Sequence, residues 1–187
     1  RLVGTATRSA NGWSGDLDLD ADKVELTPET PQLSVRLKGT MTDGAWRGQA
    51  LVRGDGFGEA SSTASSSVAP WVRVAPDQGF VSVKDLRISG LRSLTTLPLV
   101  RAGAISGRAT WREGGARGRA DVDLTEAIVG RGVVPLSAHI GLELEPTRVE
   151  SEVSISGQGE PFARAVVTLP RDAQGGVDRS APATGRL

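Results

Sequence analysis

The sequence has no cysteine and no tyrosine, and aromatic residues make up only 4% of its 187 positions. The absence of cysteine excludes disulfide bonds, thiolate metal sites and cysteine nucleophiles together, but it does not assign a cellular compartment. A compact core of this size usually draws much of its buried area from aromatic rings. The shortage of rings therefore indicates that Val, Leu, Ile and Ala supply the apolar surface, which suits repetitive strand faces.

The chain also lacks a net charge and a long apolar run. Lys and Arg together number 22, as do Asp and Glu. The net charge therefore gives no reason to expect binding to nucleic acid or to an anionic lipid surface. No apolar stretch approaches the roughly 20 residues that a transmembrane helix needs. The start at Arg1 shows no charged-then-apolar leader, and residues 181–185 have the composition of a loop, so we expect a segment of a longer protein.

What the sequence does contain is a repeated phrase of strand and turn residues. The stretch 4–26 returns at 107–125 with matching Gly, Ala, Thr and Asp positions, and a looser copy covers 39–54. Repetition of this kind is typical of a scaffold in which each unit covers part of its neighbour. We therefore expect one continuous, repeat-built unit over residues 1–187 and not an enzyme with a single unique site.

Apolar and polar residues alternate with a period of two along most of the chain, which predicts antiparallel strands with one solvated face. The predicted strands are 13–26, 32–41, 80–89, 119–125, 140–144, 149–155 and 163–169. The hairpin connectors expected from their tolerance of positive φ are Asn11-Gly12, Asp43-Gly44, Gly114-Gly115 and Gly157-Gln158-Gly159. The alternation changes parity at Lys84-Asp85, which indicates a β-bulge. The fold class is therefore all-β, with repeated antiparallel strands. One form that such strands can take is an elongated, curved sheet with an apolar inner face.

Two stretches depart from this pattern. Ser61–Ser67 is small and polar, which predicts a flexible loop or a weak edge strand and interrupts a continuous apolar wall. The leucines near 91–102 have mixed spacing around Pro98, and this segment is expected to form one short helical segment over a sheet end.

No set of residues assembles into a catalytic or metal site. His139 is the only histidine, and without a companion ligand or nucleophile it is expected on a solvated strand face. Asp16, Asp18, Asp20 and Asp22 have calcium-like spacing but lack the central Gly and terminal Glu of a binding loop, so they are interpreted as one solvated face. The Arg53-Gly54-Asp55 tripeptide is treated as a chance match to an adhesion motif. We expect no enzyme activity, no metal and no cofactor.

The remaining candidate site is the apolar face of the strands. It either fills the closed core of a sandwich or solenoid module, or lines an open groove that an acyl chain fills, and periodicity alone does not separate the two. Uncovered apolar surface costs about 25 cal/mol per Å², which favours an apolar partner for an open groove. The candidate groove-lining residues are Leu17, Leu19, Val35, Leu37, Val81, Val83, Leu86, Ile88, Val122, Leu124, Ile140, Leu142, Leu144, Val153, Ile155, Val167 and Leu169.

The order of these patterns resembles that of the TamB and AsmA-like bacterial envelope proteins. A Leu-rich segment (Leu91-Arg92-Ser93-Leu94, then Leu97-Pro98-Leu99) precedes a Gly-containing hairpin (Gly103–Trp111, Gly114-Gly115), and the alternating strand Gly118–Leu124 follows. The stretches 39–54 and 140–169 are similar in style. The resemblance covers most of the chain and is one of pattern, without a catalytic motif.

The resemblance implies a function in the cell envelope of Gram-negative bacteria. Members of that family are anchored in the inner membrane and cross the periplasm as a long, taco-shaped β-sheet. Its apolar groove shields and conducts phospholipids towards the outer membrane. TamB itself also partners an outer-membrane barrel of the Omp85 type and assists outer-membrane protein assembly. This chain would be an internal length of such a conduit, with phospholipid acyl chains as its partner and barrel docking left to parts of the parent outside it.

Overall fold

The computed structural model describes residues 1–9, 12–25, 32–68, 76–91, 100–129, 134–172, 176–178 and 180–186. Twelve strands account for most of these residues, together with a four-residue helical turn, α1 (Ile88–Leu91), and a 3-10 turn at Glu113–Gly115. The strands are β1 (Leu2–Ser9), β2 (Gly12–Val24), β3 (Leu33–Thr42), β4 (Ala45–Gly54), β5 (Gly58–Ser66), β6 (Gln78–Arg87), β7 (Val100–Arg112), β8 (Arg117–Val129), β9 (Leu136–Leu144), β10 (Arg148–Gly157), β11 (Glu160–Pro170) and β12 (Thr184–Arg186).

All twelve strands belong to one antiparallel sheet in which each strand pairs with its neighbours along the chain, from β1 to β12 in order. Among the described residues no pairing joins β1 to β12, so the sheet is open. The all-β, antiparallel prediction is confirmed. The expected turn chemistry is present where it can be examined: Asp43 and Gly44 have φ of 50° and 85°, and Gln158 and Gly159 have φ of 52° and 85°. These positive values suit two-residue hairpins. Asn11 lies outside the described residues.

Strand pairing separates the sheet into an apolar face and a polar face, because residues directly opposite each other on neighbouring strands share a face. Leu19 lies opposite Leu37, and from that pair one cross-strand row continues through every strand without a charged residue. The row one residue further along contains Asp18, Lys38 and Arg119 and lies on the other face. The three strand–turn–strand copies found in the sequence form the hairpins β1–β2, β3–β4 and β7–β8.

A line of bulges crosses the sheet near one end of the strands. The pairing shifts next to Lys23, Asp85 and Glu126, and each of these residues has a positive φ of 57°, 50° or 51°. The predicted bulge at Lys84-Asp85 is therefore confirmed, and it explains how Val83 and Leu86 come to share a face. Bulges bend the strand that carries them and increase its twist.

The packed part of the molecule lies at or beyond this line. The buried hydrophobic residues are Leu33, Phe57, Ile88, Ala104 and Ala127, with exposed fractions of 1–7%. The turn between β4 and β5 is held against the β6 bulge, since the amide of Arg87 donates to the carbonyl of Phe57 at 2.8 Å. We call this region the packed end.

Two sequence predictions need correction. Ser61–Ser66 is neither a loop nor an edge: it belongs to β5, which pairs on both sides with β4 and β6. Strand pairing uses only backbone donors and acceptors. A segment of residues with small polar side chains can therefore form a paired strand. The helical turn begins earlier than expected, at Ile88–Leu91; residues 92–99 lie outside the described residues, and Val100–Ala102 belongs to β7.

Candidate functional site: the apolar face of the sheet

Four cross-strand rows of uncharged residues make up the apolar face. We name each by one member. The Leu19 row is Leu2, Leu19, Leu37, Ala50, Ser62, Val81, Ala109, Ala120, Leu142, Ser151, Val167 and Gly185. The Gly39 row is Gly4, Leu17, Gly39, Gly48, Ala64, Gly79, Trp111, Gly118, Leu144, Val149 and Leu169. The Val35 row is Ala21, Val35, Val52, Ala60, Val83, Gly107, Val122, Ile140, Val153 and Ala165. The shorter Leu86 row is Leu86, Ile105, Leu124, Ala138, Ile155 and Ala163.

The pairing brings together sixteen of the seventeen predicted lining residues, all but Ile88, in these four rows. Ile88 begins α1 and is only 1% exposed, so it is a core residue of the packed end and does not line the open face. The alternation correctly predicted that Ile88 is apolar and buried. It could not show that β6 ends at Arg87 and that the chain leaves the sheet at Ile88.

Large apolar side chains on this face remain in contact with solvent. Leu17 is 46% exposed, Ile140 42% and Val167 39%. In the part of the chain that the structure describes, no second sheet packs on them, and the substantial contacts between strands join neighbours within the one sheet. The apolar face is therefore open to solvent at these positions, on β2, β9 and β11.

Residues of β1–β5 line a hollow of about 530 Å³ on this face. Its floor and walls include residues that periodicity of large apolar side chains did not identify: Gly39, Met41, Trp46, Gly48, Ala50, Ser62 and Ala64. The sequence does contain a signal for them: by period-two alternation, small residues occupy positions of successive strands that belong to the apolar face. It becomes visible only when the register places those positions side by side.

Two tryptophans are seated on glycines of the Gly39 row. A Cβ at Gly79 would fall 2.1 Å from Cζ2 of Trp111, so the Trp111 ring lies over that glycine. The ring of Trp46 lies beside Gly48, with Cζ3 3.4 Å from the corresponding Cβ position. The indole Nε1 of Trp46 is shielded from solvent and has no hydrogen-bond partner among the described residues. Such a donor is costly to leave unpaired.

The opposite face carries ion pairs between facing strands. Asp20 pairs with Arg36 at 3.4 Å, and Asp18 pairs with Lys38 at 3.6 Å. The predicted interpretation of the β2 aspartates as a solvated face is confirmed. His139 also lies on this face, with Nδ1 2.8 Å from Oδ1 of Asp123, in agreement with its predicted position.

Further along, Asp121 lies beside Arg119 and Arg108, at 3.2 and 3.8 Å. The hydrogen bond from Arg119 lowers the pKa of the Asp121 carboxyl, and the positive charges of Arg119 and Arg108 act in the same direction. The polar face therefore carries charge contacts both between neighbouring strands and, at Arg119–Asp121, within one strand. Within the described residues, no group of three or more His, Cys, Asp or Glu side chains is arranged to hold a metal ion.

No protein-family model, no curated protein and no solved structure matches this chain. Within the described ranges, none of the helical residues forms a helix long and apolar enough to cross a membrane.

Proposed function

We propose that this chain is a length of a lipid-shielding groove, in which the apolar face holds the acyl chains of phospholipids. The observation that carries the proposal is the set of uncharged rows, the longest of which crosses all twelve strands, while Leu17 and Ile140 stay 46% and 42% exposed. Acyl chains cover such a surface without needing any specific polar group, which agrees with the lack of charged side chains in the four rows.

The size of the face makes an apolar occupant energetically favourable. Twelve strands at about 4.8 Å spacing extend about 53 Å, and three full rows add about 20 Å of width, giving on the order of 1,000 Å². Soluble monomers rarely expose contiguous apolar patches beyond a few hundred Å². At about 25 cal/mol per Å², even partial coverage by lipid chains is worth several kcal/mol.

The rival interpretation is a structural module with a closed core. A sandwich needs two sheets packed face to face, and a solenoid stacks repeated coils. The described strands instead form one sheet with sequential antiparallel pairing. This architecture favours an open groove over a closed module.

The pattern resemblance to TamB and AsmA-like proteins extends the proposal to a cellular setting. On this proposal the parent protein is anchored in the inner membrane and crosses the periplasm, and this chain is one part of its conduit. Lipids would move passively along the rows, with headgroups at the polar rim. An Omp85-type barrel, and assistance to outer-membrane protein assembly, would involve other parts of the parent.

The test is lipid content after purification without detergent, measured by native mass spectrometry and lipid extraction. Val81→Asp places a charge in the Leu19 row. Its matched control is Ser82→Asp, one residue along the same strand on the polar face, opposite Arg108. We expect co-purified phospholipid with the wild-type chain and with Ser82→Asp, and little or none with Val81→Asp.

Circular dichroism of all three proteins separates loss of binding from loss of fold. On an open face the new carboxylate reaches water, so Val81→Asp should keep the strand spectrum. A wild-type chain that is folded, stable and free of lipid would refute the proposal. So would a folded Val81→Asp variant that retains its full complement of lipid.

A further inference from the structure

The sheet contains two equivalent modules, β2–β5 and β8–β11. They are related by a constant offset of 103 residues, as between Leu33 and Leu136, which begin β3 and β9. The cross-strand register is the same in both, apart from one shift next to the turn between β10 and β11. Their bulges also coincide, since Lys23 and Glu126 occupy equivalent positions and have φ of 57° and 51°. We call β2–β5 the first module and β8–β11 the second module.

The two modules differ in one cross-strand charge contact on the polar face. In the first module, Nε of Arg36 lies 3.4 Å from Oδ2 of Asp20. The equivalent residues of the second module are His139 and Asp123, with Nδ1 2.8 Å from Oδ1. Arginine stays charged at every physiological pH, whereas histidine changes its charge between about pH 5 and pH 8. The same contact is therefore a permanent ion pair in the first module and a conditional one in the second.

A second difference removes the other fixed charge from the same strand. In the first module, Nζ of Lys38 lies 3.6 Å from Asp18. The equivalent of Lys38 on β9 is Gly141, and the His139 ring extends towards it, with Nε2 3.8 Å from the position that a Cβ would take. The sequence of β9 contains neither Lys nor Arg. Positive charge on this strand therefore depends on the protonation of His139.

The charged groups that face His139 come from its own strand and from both neighbouring strands. They are Arg119, Asp121 and Asp123 on β8, Glu143 on β9, and Glu150 and Glu152 on β10.

Fixed cations already neutralise two of these carboxylates. Asp121 lies 3.2 Å from Arg119 and 3.8 Å from Arg108, and Glu152 lies 2.8 Å from Arg164. Within the described residues, the ion pair of Asp123 is the one with His139. When His139 is neutral, Asp123 therefore loses its counterion, while its neighbours keep theirs.

We propose that the His139–Asp123 pair makes the contact between β8 and β9 sensitive to pH, so that acidification strengthens the second module while the equivalent contact of the first module is unaffected. A neutral imidazole with its proton on Nδ1 still donates a hydrogen bond to Asp123, so the change concerns charge attraction and not strand geometry. Folding brings the imidazolium beside a carboxylate. This stabilisation is present while His139 is protonated and is lost as the pH rises. The proposal does not depend on lipid binding by the apolar face.

The test compares the urea midpoints of the wild-type chain and His139→Gln, followed by circular dichroism, at about pH 5.5 and about pH 8. Glutamine keeps a polar side chain but has no charge at either pH, and the comparison cancels the titration of other groups. At the lower pH the wild-type midpoint should be higher by about 0.1–0.5 M, the size expected for an exposed ion pair. At the higher pH this difference should shrink.

Three further variants locate the effect. Asp123→Asn removes the partner, so in that background His139→Gln should change the midpoint equally at both pH values. Arg36→His moves a histidine to the equivalent contact of the first module, opposite Asp20, and should lower the midpoint more at the higher pH than at the lower. His139→Arg is the matched control: it should equal the wild type at the lower pH and exceed it at the higher.

Each result decides one part of the proposal. If the difference between wild type and His139→Gln is the same at both pH values, the contact is not pH-sensitive and the proposal is overturned. If that difference depends on pH but persists unchanged in the Asp123→Asn background, the assignment to Asp123 is wrong. The Arg36→His variant provides an independent check, because a midpoint shift that is equal at both pH values would show that a histidine at this contact does not respond to pH.

Discussion

Two isoleucine-to-alanine substitutions provide the most direct test of an uncovered face. Ile88 lies in the packed end and is 1% exposed, whereas Ile140 lies in the Val35 row and is 42% exposed. The chemical change is the same at both positions. Any difference in stability therefore reports how each side chain is packed, and not what is removed.

The expected magnitudes differ by a factor of about three. Removing a buried isoleucine side chain costs its transfer free energy plus a cavity term, about 2–5 kcal/mol in total, so we expect about 3 kcal/mol for Ile88→Ala. At Ile140 just over half of the residue is covered, and the space left behind opens to solvent. Only part of the transfer term is lost, about 1 kcal/mol or less.

Urea unfolding followed by far-UV circular dichroism measures both values. With an m value of about 2 kcal/mol/M, Ile88→Ala should lower the midpoint by about 1.5 M and Ile140→Ala by about 0.5 M or less. An unchanged m value shows that the midpoints report stability. If Ile140→Ala destabilises the chain as much as Ile88→Ala, the face is covered, and the argument for an open groove is refuted.

Three further outcomes follow from single contacts. Gly15→Ala drives a Cβ to 2.2 Å from the carbonyl oxygen of Thr5 and should destabilise the β1–β2 pair by about 1–3 kcal/mol, seen as faster amide exchange in β1. Trp46→Phe removes a shielded donor without a partner together with part of the apolar ring, so the two effects should offset within about 1 kcal/mol in thermal melting; a larger loss would mean that packing of the indole outweighs the cost of the unpaired donor. Because the hydrogen bond from Arg119 lowers the pKa of Asp121 below 3.8, that carboxylate stabilises the fold above its ordinary pKa and loses this effect as the pH falls through the lowered value. The stability difference between wild type and Asp121→Asn should therefore shrink as the pH falls through and below the ordinary pKa of an aspartate.

The sequence was sufficient to predict the faces of the sheet because period-two alternation is a local property. Leu17 and Leu19 alternate with Asp16 and Asp18, and the pairing indeed puts them on opposite faces. The bulge at Lys84-Asp85 was predictable for the same reason, since a local change of parity has to be absorbed somewhere in the strand.

Features that depend on register could not be predicted. Which residue of β3 faces which residue of β4 is set by the length of each turn, and only this register brings Gly39 opposite Gly48. The β5 strand was missed because its Ser and Thr residues carry no hydrophobic signal. Its strand conformation comes from pairing with β4 and β6 on both sides, which is information held by the neighbours and not by the segment.

The distribution of stabilising contacts explains how an uncovered apolar face can persist. Backbone pairing and cross-strand ion pairs such as Asp20–Arg36 join each strand to its neighbours, so strand pairing does not depend on a second layer over the apolar face. Side-chain burial is concentrated at the packed end, where Ile88 and Ala127 are each 1% exposed. A sheet that is stabilised at the packed end and by contacts between neighbouring strands can keep the apolar side chains of its other parts in contact with solvent.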